Sequence, residues 1–206
     1  GASGLAQLVL DEKVGVLAGD RIILRDPSAT RTLAGATVID PFGPPRNRRS
    51  ERRRSELGAL DNADAEVLPK LLRLESGFIE LARFGQSRNL RSAEVEALLR
   101  AAGGESLEGF GFLAETLAAA RLDIVDTLKE FHVAKPDVAG LQPERLRVTL
   151  KKRWPIQVFR ALLDREVHAK KVTVDGPFLR IPGHSLTLGP KDEALWNKVA
   201  AELQRE

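Results

Sequence analysis

The chain has 206 residues, 43% of them hydrophobic, and a formal net charge of +3 at pH 7. It has no cysteine, which excludes a disulfide framework, thiol catalysis and a cysteine-ligated metal. No run approaches the roughly 18 apolar residues of a membrane-spanning helix, and the N-terminus lacks the basic start and long apolar core of a signal peptide. We therefore expect a cytoplasmic protein with roughly one to three domains.

The sequence also contains no methionine, not even at position 1. Its first three residues, Gly1–Ser3, are typical of a cloning remnant, so we interpret the chain as a piece of a longer protein. The strands that follow favour the same interpretation, because a β-segment of about 40 residues cannot close a barrel and would leave its edges unpaired.

The first predicted elements are two or three β-strands. Arg21–Arg25 is a short β-rich run, and Asp26–Ser28 has turn chemistry, with an aspartate able to bond the backbone just ahead. The second run, Arg31–Asp40, is interrupted by Ala34–Ala36, whose glycine indicates a bulge or a close backbone approach. The prolines of Pro41–Pro45 then end regular structure, which makes this the clearest domain boundary.

Charge alternates along the rest of the chain. The run Arg46–Arg54 has six arginines and one glutamate, and we interpret it as a flexible basic linker or, alternatively, as an RNA contact. Residues 55–115 have 6 basic and 11 acidic side chains, whereas residues 143–180 have 10 basic and 4 acidic ones. A polyanion is therefore attracted by the linker and the last third and repelled by the middle.

The middle of the chain predicts three helices and a hairpin, the order of a winged helix. Leucine spacing over 56–75 is helical, and a short second helix is expected to begin at Phe78. Ser92 is the predicted N-cap of the third helix, and a glycine-hinged hairpin follows over 107–113. The third helix is expected to pack through Val95, Leu98, Leu99 and Ala102.

The same order repeats in the next 65 residues or so, a length typical of such small domains. A helix is predicted over 117–131, Pro143 suits the first position of a second helix, and Pro155 opens a third. A hairpin over 172–181 is expected to turn at Asp175-Gly176. The positions predicted to face the core are Leu122, Val125, Leu128, Ile156, Phe159, Leu162 and Leu163.

The predicted fold class is α+β, mainly α with small β-hairpins: tandem winged-helix domains preceded by the last strands of a β-barrel. The predicted domains are the barrel strands (1–43), a first winged helix with its basic linker (44–116), a second winged helix (117–187) and the first helix of a truncated third winged helix (188–206).

The sequence contains no recognisable catalytic motif. There is no G-x-x-x-x-G-K-[ST] phosphate loop, the three histidines share no metal-ligand spacing, and no Ser-His-Asp or paired-carboxylate arrangement is present. We therefore assign no catalytic residue and no metal ligand. Winged helices often bind phosphates through basic side chains, and here the alternative is an ordinary solvated basic surface. The candidate RNA-binding residues are Arg46, Arg48, Arg49, Arg52, Arg53, Arg145, Lys151, Lys152, Arg153, Lys170 and Lys171.

The order of residues near the N-terminus is more specific than their propensities. The pattern R-D-x-S-x-x-R-T at Arg25–Thr32, followed by V-I-D-P at Val38–Pro41, resembles the third-domain barrel of selenocysteine-specific elongation factors, a branch of the elongation-factor-Tu-like GTPases. Four later segments resemble downstream parts of that family in the same order, so the resemblance covers nearly the whole chain. These segments are Glu75–Phe84, Gln142–Arg147, Leu179–His184 and Asp192–Trp196.

The resemblance implies a function for the full-length protein. Such factors use GTP and magnesium to deliver selenocysteinyl-tRNA to the ribosome, and a winged-helix tail tethers them to an mRNA selenocysteine insertion hairpin. The resemblance places the GTPase domain and the last, hairpin-binding winged helix outside this sequence. This chain is then a monomeric, non-enzymatic spacer with RNA-associated surfaces and no cofactor of its own. Arg25 and Arg31 match the family pattern.

A second interpretation is a DNA-binding transcription regulator with tandem winged helices. Such a regulator has no need for the end of a Tu-like barrel. It should also present a basic third helix to the major groove, whereas residues 93–102 carry two glutamates and one arginine. The translation-factor interpretation is therefore preferred.

Overall fold

The structure is a computed structural model that describes residues 4–186, together with Trp196, Val199 and Ala200. Apart from those three residues, which are helical, the helix predicted over 188–206 lies outside the described residues. Within the described part of the chain, no helix is long and apolar enough to span a membrane.

Contacts divide the chain into two compact units, Gly1–Thr116 and Leu117–Glu206. Both units combine helices with small antiparallel sheets, so the predicted α+β class is confirmed. The domain boundaries predicted from the sequence remain a prediction.

The N-terminal strands form one antiparallel hairpin of β1 (Arg21–Arg25) and β2 (Thr32–Thr37). Leu24 pairs with Ala34 and Arg25 with Thr32, so the extra residue of the bulge is Leu33 in β2. The irregularity expected in this run therefore lies at Leu33 and not at Gly35, which pairs with Ile23 and where a Cβ atom would meet nothing within 4 Å.

The predicted turn at Asp26 is confirmed. Its Oδ1 accepts a hydrogen bond from the backbone N–H of Arg31 at 2.9 Å, and its Oδ2 accepts from the hydroxyls of Ser28 and Thr30 at 2.9 and 2.8 Å. These hydrogen bonds, led by the one from Arg31, stabilise the carboxylate and lower the pKa of Asp26 to about 2.

Two helices replace the single helical stretch predicted over 56–75. They are α1 (Glu51–Leu60) and α2 (Asp64–Leu72). The side chain of Ser50 caps α1 by accepting from the backbone N–H of Arg53 at 3.2 Å. The prediction of a flexible linker is therefore wrong for the end of the arginine run, because that part is helical.

The remaining elements of the first unit are β3 (Phe78–Glu80), α3 (Leu81–Arg88), α4 (Ser92–Ala101), β4 (Gly104–Leu107) and β5 (Phe110–Leu113). The sheet order is β3-β5-β4, all antiparallel. The second helix predicted to begin with the phenylalanine of β3 begins three residues later, because those three residues pair with β5. The order of a winged helix is thus present.

The third helix of this unit, α4, is capped differently from the prediction. Arg91 is the N-cap and Ser92 is the first helical residue. The carboxylate of Glu94 accepts from the backbone N–H of Arg91 at 2.6 Å, which satisfies a donor at the helix start. The core cluster of the unit is formed by Ala59, Val67, Leu68, Leu71, Leu72, Leu81, Phe84, Val95, Leu99 and Leu113.

The second unit contains α5 (Ala114–Ala134) from Leu117 onward, α6 (Pro143–Thr149), α7 (Ile156–His168), β6 (Thr173–Asp175) and β7 (Phe178–Arg180). A proline occupies the first position of α6, as predicted, and the proline before α7 is its N-cap. The two strands form an antiparallel hairpin. A third short segment joins it through an isolated antiparallel bridge between Leu141 and Leu179.

Three details of the second unit differ from the predictions. Leu122 and Ile156 are 60% and 42% exposed, although both were expected to face the core. Asp175 pairs with Phe178, so the two turn residues are Gly176 and Pro177, one position later than predicted. Gly176 has a φ of 56°, and glycine adopts this left-handed region without the strain of a Cβ atom.

Candidate RNA-binding surface

The arginine run contributes exposed and buried side chains. Arg46, Arg48 and Arg49 are exposed in the loop before α1. Arg52 is exposed on α1, where it pairs with Glu56 at 3.2 Å. These four residues remain candidates for phosphate contacts.

Arg53 is the exception in this run. Its side chain is only 11% exposed, and its Nη2 donates to Asp40 Oδ2 at 2.7 Å. Its Nη1 lies 3.5 Å from Glu56 Oε2. A buried arginine with two carboxylate partners holds the segment after the β-hairpin against α1, so the structure argues against Arg53 as an RNA contact.

The loop between α6 and α7 presents three of the predicted basic residues. Lys151 has a side chain that is 81% exposed, while its backbone N–H donates to Asp123 Oδ2 at 3.0 Å. The ammonium of Lys152 lies 5.3 Å from the ring centroid of Trp154, within cation–π range. Arg153 is exposed. A carboxylate and an aromatic ring therefore lie near two of these cations, Lys152 is half-buried, and Lys151 and Arg153 remain exposed.

The last two predicted lysines lie between α7 and β6. Lys170 is exposed and has a left-handed φ of 56°. The ammonium of Lys171 lies 3.8 Å from a carboxylate oxygen of Glu166, which is 1% exposed and also pairs with Arg121. Lys171 therefore helps to neutralise a buried charge.

Sequence reasoning missed Arg160 on α7 and the grouping of basic side chains around Glu144 on α6. Arg147 holds the carboxylate of Glu144 through two hydrogen bonds, Nε to Oε2 at 3.0 Å and Nη2 to Oε1 at 2.6 Å. The charges of Arg153 and Arg160 also reach this carboxylate. The hydrogen bond from Arg147 is the main cause that lowers the pKa of Glu144, and the same bond raises the pKa of Arg147. The i, i+3 spacing of Glu144 and Arg147 was the available signal. Arg145 is exposed on the same helix.

Two histidines that are far apart in sequence meet in the second unit. The rings of His132 and His184 stack with centroids 3.6 Å apart. His132 is buried, its Nε2 accepts from the backbone N–H of Ile181 at 3.3 Å, and its Nδ1 has no hydrogen-bond partner within the described residues. Burial is the main cause that lowers the pKa of His132, and the charges of His184 and Arg180 lower it further.

This pair predicts that the second unit loses stability in mild acid. The pKa of His132 lies below the 6.5 of an unperturbed histidine, so the unfolded chain binds the proton more readily. The second unit therefore keeps its full stability above pH 6.5. It loses stability as the pH falls from there through the folded-state pKa of His132. Thermal melting followed between neutral and acidic pH should show this loss, and it should be smaller in His132→Gln. The same replacement of the exposed His168 is the matched control and should leave the loss unchanged.

Metal and catalytic sites were not expected from the sequence. Over residues 4–186, no group of three or more His, Asp or Glu side chains is placed to hold a metal ion.

Two family models match the chain. One describes the β-barrel domain of the selenocysteine-specific elongation factor and matches residues 2–45, and the other describes the winged helix of elongation factor SelB and matches residues 125–181. The selenocysteine-specific elongation factor of Escherichia coli (strain K12) is 29% identical over 94% of this chain. The chain is similar to the selenocysteine-specific elongation factors.

Two further relatives align over nearly the whole chain. The selenocysteine-specific elongation factors of Desulfomicrobium baculatum and Haemophilus influenzae are 26% and 20% identical over 95% and 98% of it. The chain spans 32% of the length of each of these three curated relatives. The crystal structure of a bacterial selenocysteine-specific elongation factor, EF-Sec, superposes with a TM-score of 0.55 at 17% identity, over 95% of this chain and 30% of that one. This likeness supports the fold.

Proposed function

We propose that this chain is the spacer and RNA-associated part of a translation elongation factor that delivers selenocysteinyl-tRNA to the ribosome for mRNA-directed selenocysteine incorporation. One observation carries the proposal: a selenocysteine-factor barrel match over 2–45 precedes a SelB winged-helix match over 125–181 in one chain. The full-length family member uses GTP and magnesium, acts in the cytoplasm, and reaches the tRNA, the ribosome and the mRNA hairpin through its other domains.

The chain itself has no enzymatic activity in this proposal. GTP hydrolysis of the P-loop type needs a glycine-rich phosphate loop with its lysine, and the 206 residues contain no such motif. We infer that a winged helix beyond this chain recognises the hairpin and that the monomeric chain sets the spacing between the barrel and that domain. A DNA-binding regulator is not favoured, since the relatives are translation factors.

The charge distribution supports an RNA contact in the second unit. Residues 143–180 have a surplus of six positive charges, whereas residues 55–115 have a surplus of five negative charges. Phosphate contacts provide sequence-independent affinity that weakens with salt. We propose that Lys151, Lys152 and Arg153 approach RNA phosphates, with Arg145 and Lys170 extending the same basic unit.

The experiment is fluorescence-anisotropy binding of the chain to tRNA, a selenocysteine insertion hairpin and duplex DNA across a salt series. We expect weak binding to both RNAs that falls steeply with salt, with no preference for the hairpin over an unrelated RNA. Submicromolar, salt-resistant binding of the hairpin would overturn the spacer role. A preference for duplex DNA would favour a regulator.

Reversing the charge of Lys151, Lys152 and Arg153 with glutamate should weaken RNA binding strongly. If each residue contacts one phosphate, the slope of log affinity against log salt should become shallower by about 2, and affinity at low salt should fall by about 100-fold. The matched control reverses three exposed basic residues of the same unit, Lys129 on α5, Lys135 directly after α5 and Arg165 on α7. If both triple variants lose the same RNA affinity, net charge alone explains the effect, and the α6–α7 loop is not a specific RNA contact.

A further inference from the structure

The carboxylate of Glu144 occupies a position suited to a larger anion. Arg147 presents its Nε–Nη2 edge to both carboxylate oxygens, with donor–acceptor distances of 3.0 and 2.6 Å. This two-bond fork is also how arginine binds a phosphate. Arg153 and Arg160 lie near enough for their charges to act on the same carboxylate. One exposed carboxylate thus pairs with the guanidinium of Arg147 and lies within electrostatic range of two more guanidinium groups.

The guanidinium of Arg147 is held in place from its other side. Its Nη1 donates to the backbone carbonyl of Trp154 at 3.2 Å, and the side chain is only 18% exposed. Trp154 is itself buried. The two donors of the Nε–Nη2 edge therefore keep their direction when the anion in front of them changes, which reduces the entropic cost of binding a new anion.

Glu144 is a weak competitor for this position. It lies in the first turn of α6, and its side chain is 61% exposed. Exposed ion pairs contribute little to stability, so the side chain can rotate into solvent at small cost. A phosphodiester presents two unesterified oxygens that share a negative charge, and it brings a polyanion whose neighbouring charges also gain from Arg153 and Arg160.

We propose that Arg147, Arg153 and Arg160 form a binding site for one phosphodiester group of RNA, and that Glu144 fills this site until RNA displaces it. The site rests on the proposed function, in which the second unit contacts RNA. It adds a named phosphate position and a built-in competitor that limits affinity. A spacer that binds RNA too tightly would delay release of the factor, and Glu144 provides a local restraint on that affinity.

The test compares Glu144→Gln with Glu130→Gln in the 206-residue chain. Both replacements remove one negative charge from the second unit, so the two variants have the same net charge. Glu130 is exposed on α5. Poly-uridine and tRNA are titrated by fluorescence anisotropy across a salt series. Removing the competitor should raise RNA affinity about fivefold and steepen the salt slope by about 0.7, the value of one added single-strand phosphate contact. Glu130→Gln should change affinity less than about twofold.

A second variant tests whether the gain comes from this site. Adding Arg160→Gln to Glu144→Gln should remove most of the gain in RNA affinity, because it removes one of the proposed phosphate-binding charges. Arg160 is exposed, so this replacement leaves the hydrogen bond from Arg147 to the carbonyl of Trp154 intact. Equal effects of the two glutamate replacements, or a gain that survives the loss of Arg160, would overturn the proposed site.

A titration with inorganic phosphate distinguishes a failure of the anion site from a failure of the proposed function. In Glu144→Gln, added phosphate should shift the NMR signal of the Arg147 Nε–H group more than in Glu130→Gln. If the wild-type chain fails to bind either RNA, the proposed function is overturned, and the phosphate titration alone decides whether an anion site exists. A similar Arg147 shift in both variants overturns the site. A phosphate shift without the RNA gain overturns the phosphodiester as its ligand.

Discussion

Replacing Gly140 with alanine should lower the free energy of unfolding of the second unit by about 3 kcal/mol, the upper end of the usual cost of overpacking. A Cβ atom at this position would lie 2.2 Å from the carbonyl oxygen of Leu179 and 2.9 Å from its carbonyl carbon. Both are backbone atoms, so no side chain can move aside. The bridge between Leu141 and Leu179, with hydrogen bonds of 3.1 and 2.8 Å, must open to admit the methyl group.

Hydrogen exchange gives the most direct measurement of this effect. The amide N–H groups of Leu141 and Leu179 donate the two bridge hydrogen bonds, and their protection should fall in Gly140→Ala. Gly58→Ala is the control, because Gly58 lies inside α1 with nothing within 4 Å of an added Cβ. There alanine should stabilise the first unit by about 0.5–1 kcal/mol, because its helix propensity is higher. Unchanged protection of the two bridge amides would contradict the predicted clash.

Helices with clear apolar periodicity or proline starts could be predicted from the sequence. Val95 and Leu99 are buried on α4 as expected, and α6 begins at Pro143. The start of α1 was missed, because the helix is mostly arginine and polar residues and only Ala59 and Arg53 are buried on it. A cap at Ser50 and tertiary contacts define this helix, and neither produces a hydrophobic pattern.

Short strands and long-range pairs were the other misses. The strand Phe78–Glu80 has three residues, too few to show alternation, and its pairing with β5 depends on residues about 30 positions away. Leu122 fits the helical spacing yet is exposed, since spacing alone does not say which neighbours exist. His132 and His184 stack although 52 positions separate them. Tertiary packing creates such contacts, and a single sequence carries no local sign of them.

The candidate RNA-binding surface was predictable as a region of charge and not residue by residue. Basic runs identified the α6–α7 loop and the segment before β6, where Lys151, Lys170 and Lys171 are exposed and Lys152 is half-buried. The sequence could not distinguish Arg53, whose carboxylate partner Asp40 comes from the segment after the hairpin, from its solvated neighbours. Nor could it distinguish Arg147, which a backbone carbonyl holds in place, from Arg145.

Arg88 provides the second large expected effect, in the first unit. Its Nη1 donates to the carboxylate of Asp64 and to the carbonyl of Asn62, and its Nη2 donates to the carbonyl of Leu60. These acceptors lie around the break between α1 and α2, and the guanidinium also lies 5.7 Å from the ring centroid of Phe84. One buried side chain on α3 thus donates hydrogen bonds to acceptors at the end of α1 and at the start of α2.

Replacing Arg88 with alanine should therefore destabilise the first unit by about 3 kcal/mol, since it leaves partly buried acceptors without a donor and removes packing against an aromatic ring. Arg88→Lys should be intermediate, because it keeps the charge without the planar fork. Arg73→Ala is the matched control, since Arg73 is exposed at the end of α2 and donates to the carbonyl of Pro69 at 3.0 Å. This replacement should change stability by about 0.5 kcal/mol or less. Urea unfolding, monitored by hydrogen exchange in the first unit, measures the stability of all three variants. If Arg88→Ala costs no more than Arg73→Ala, then the helix break is stable without its arginine, and core packing alone holds α1 and α2 at their junction.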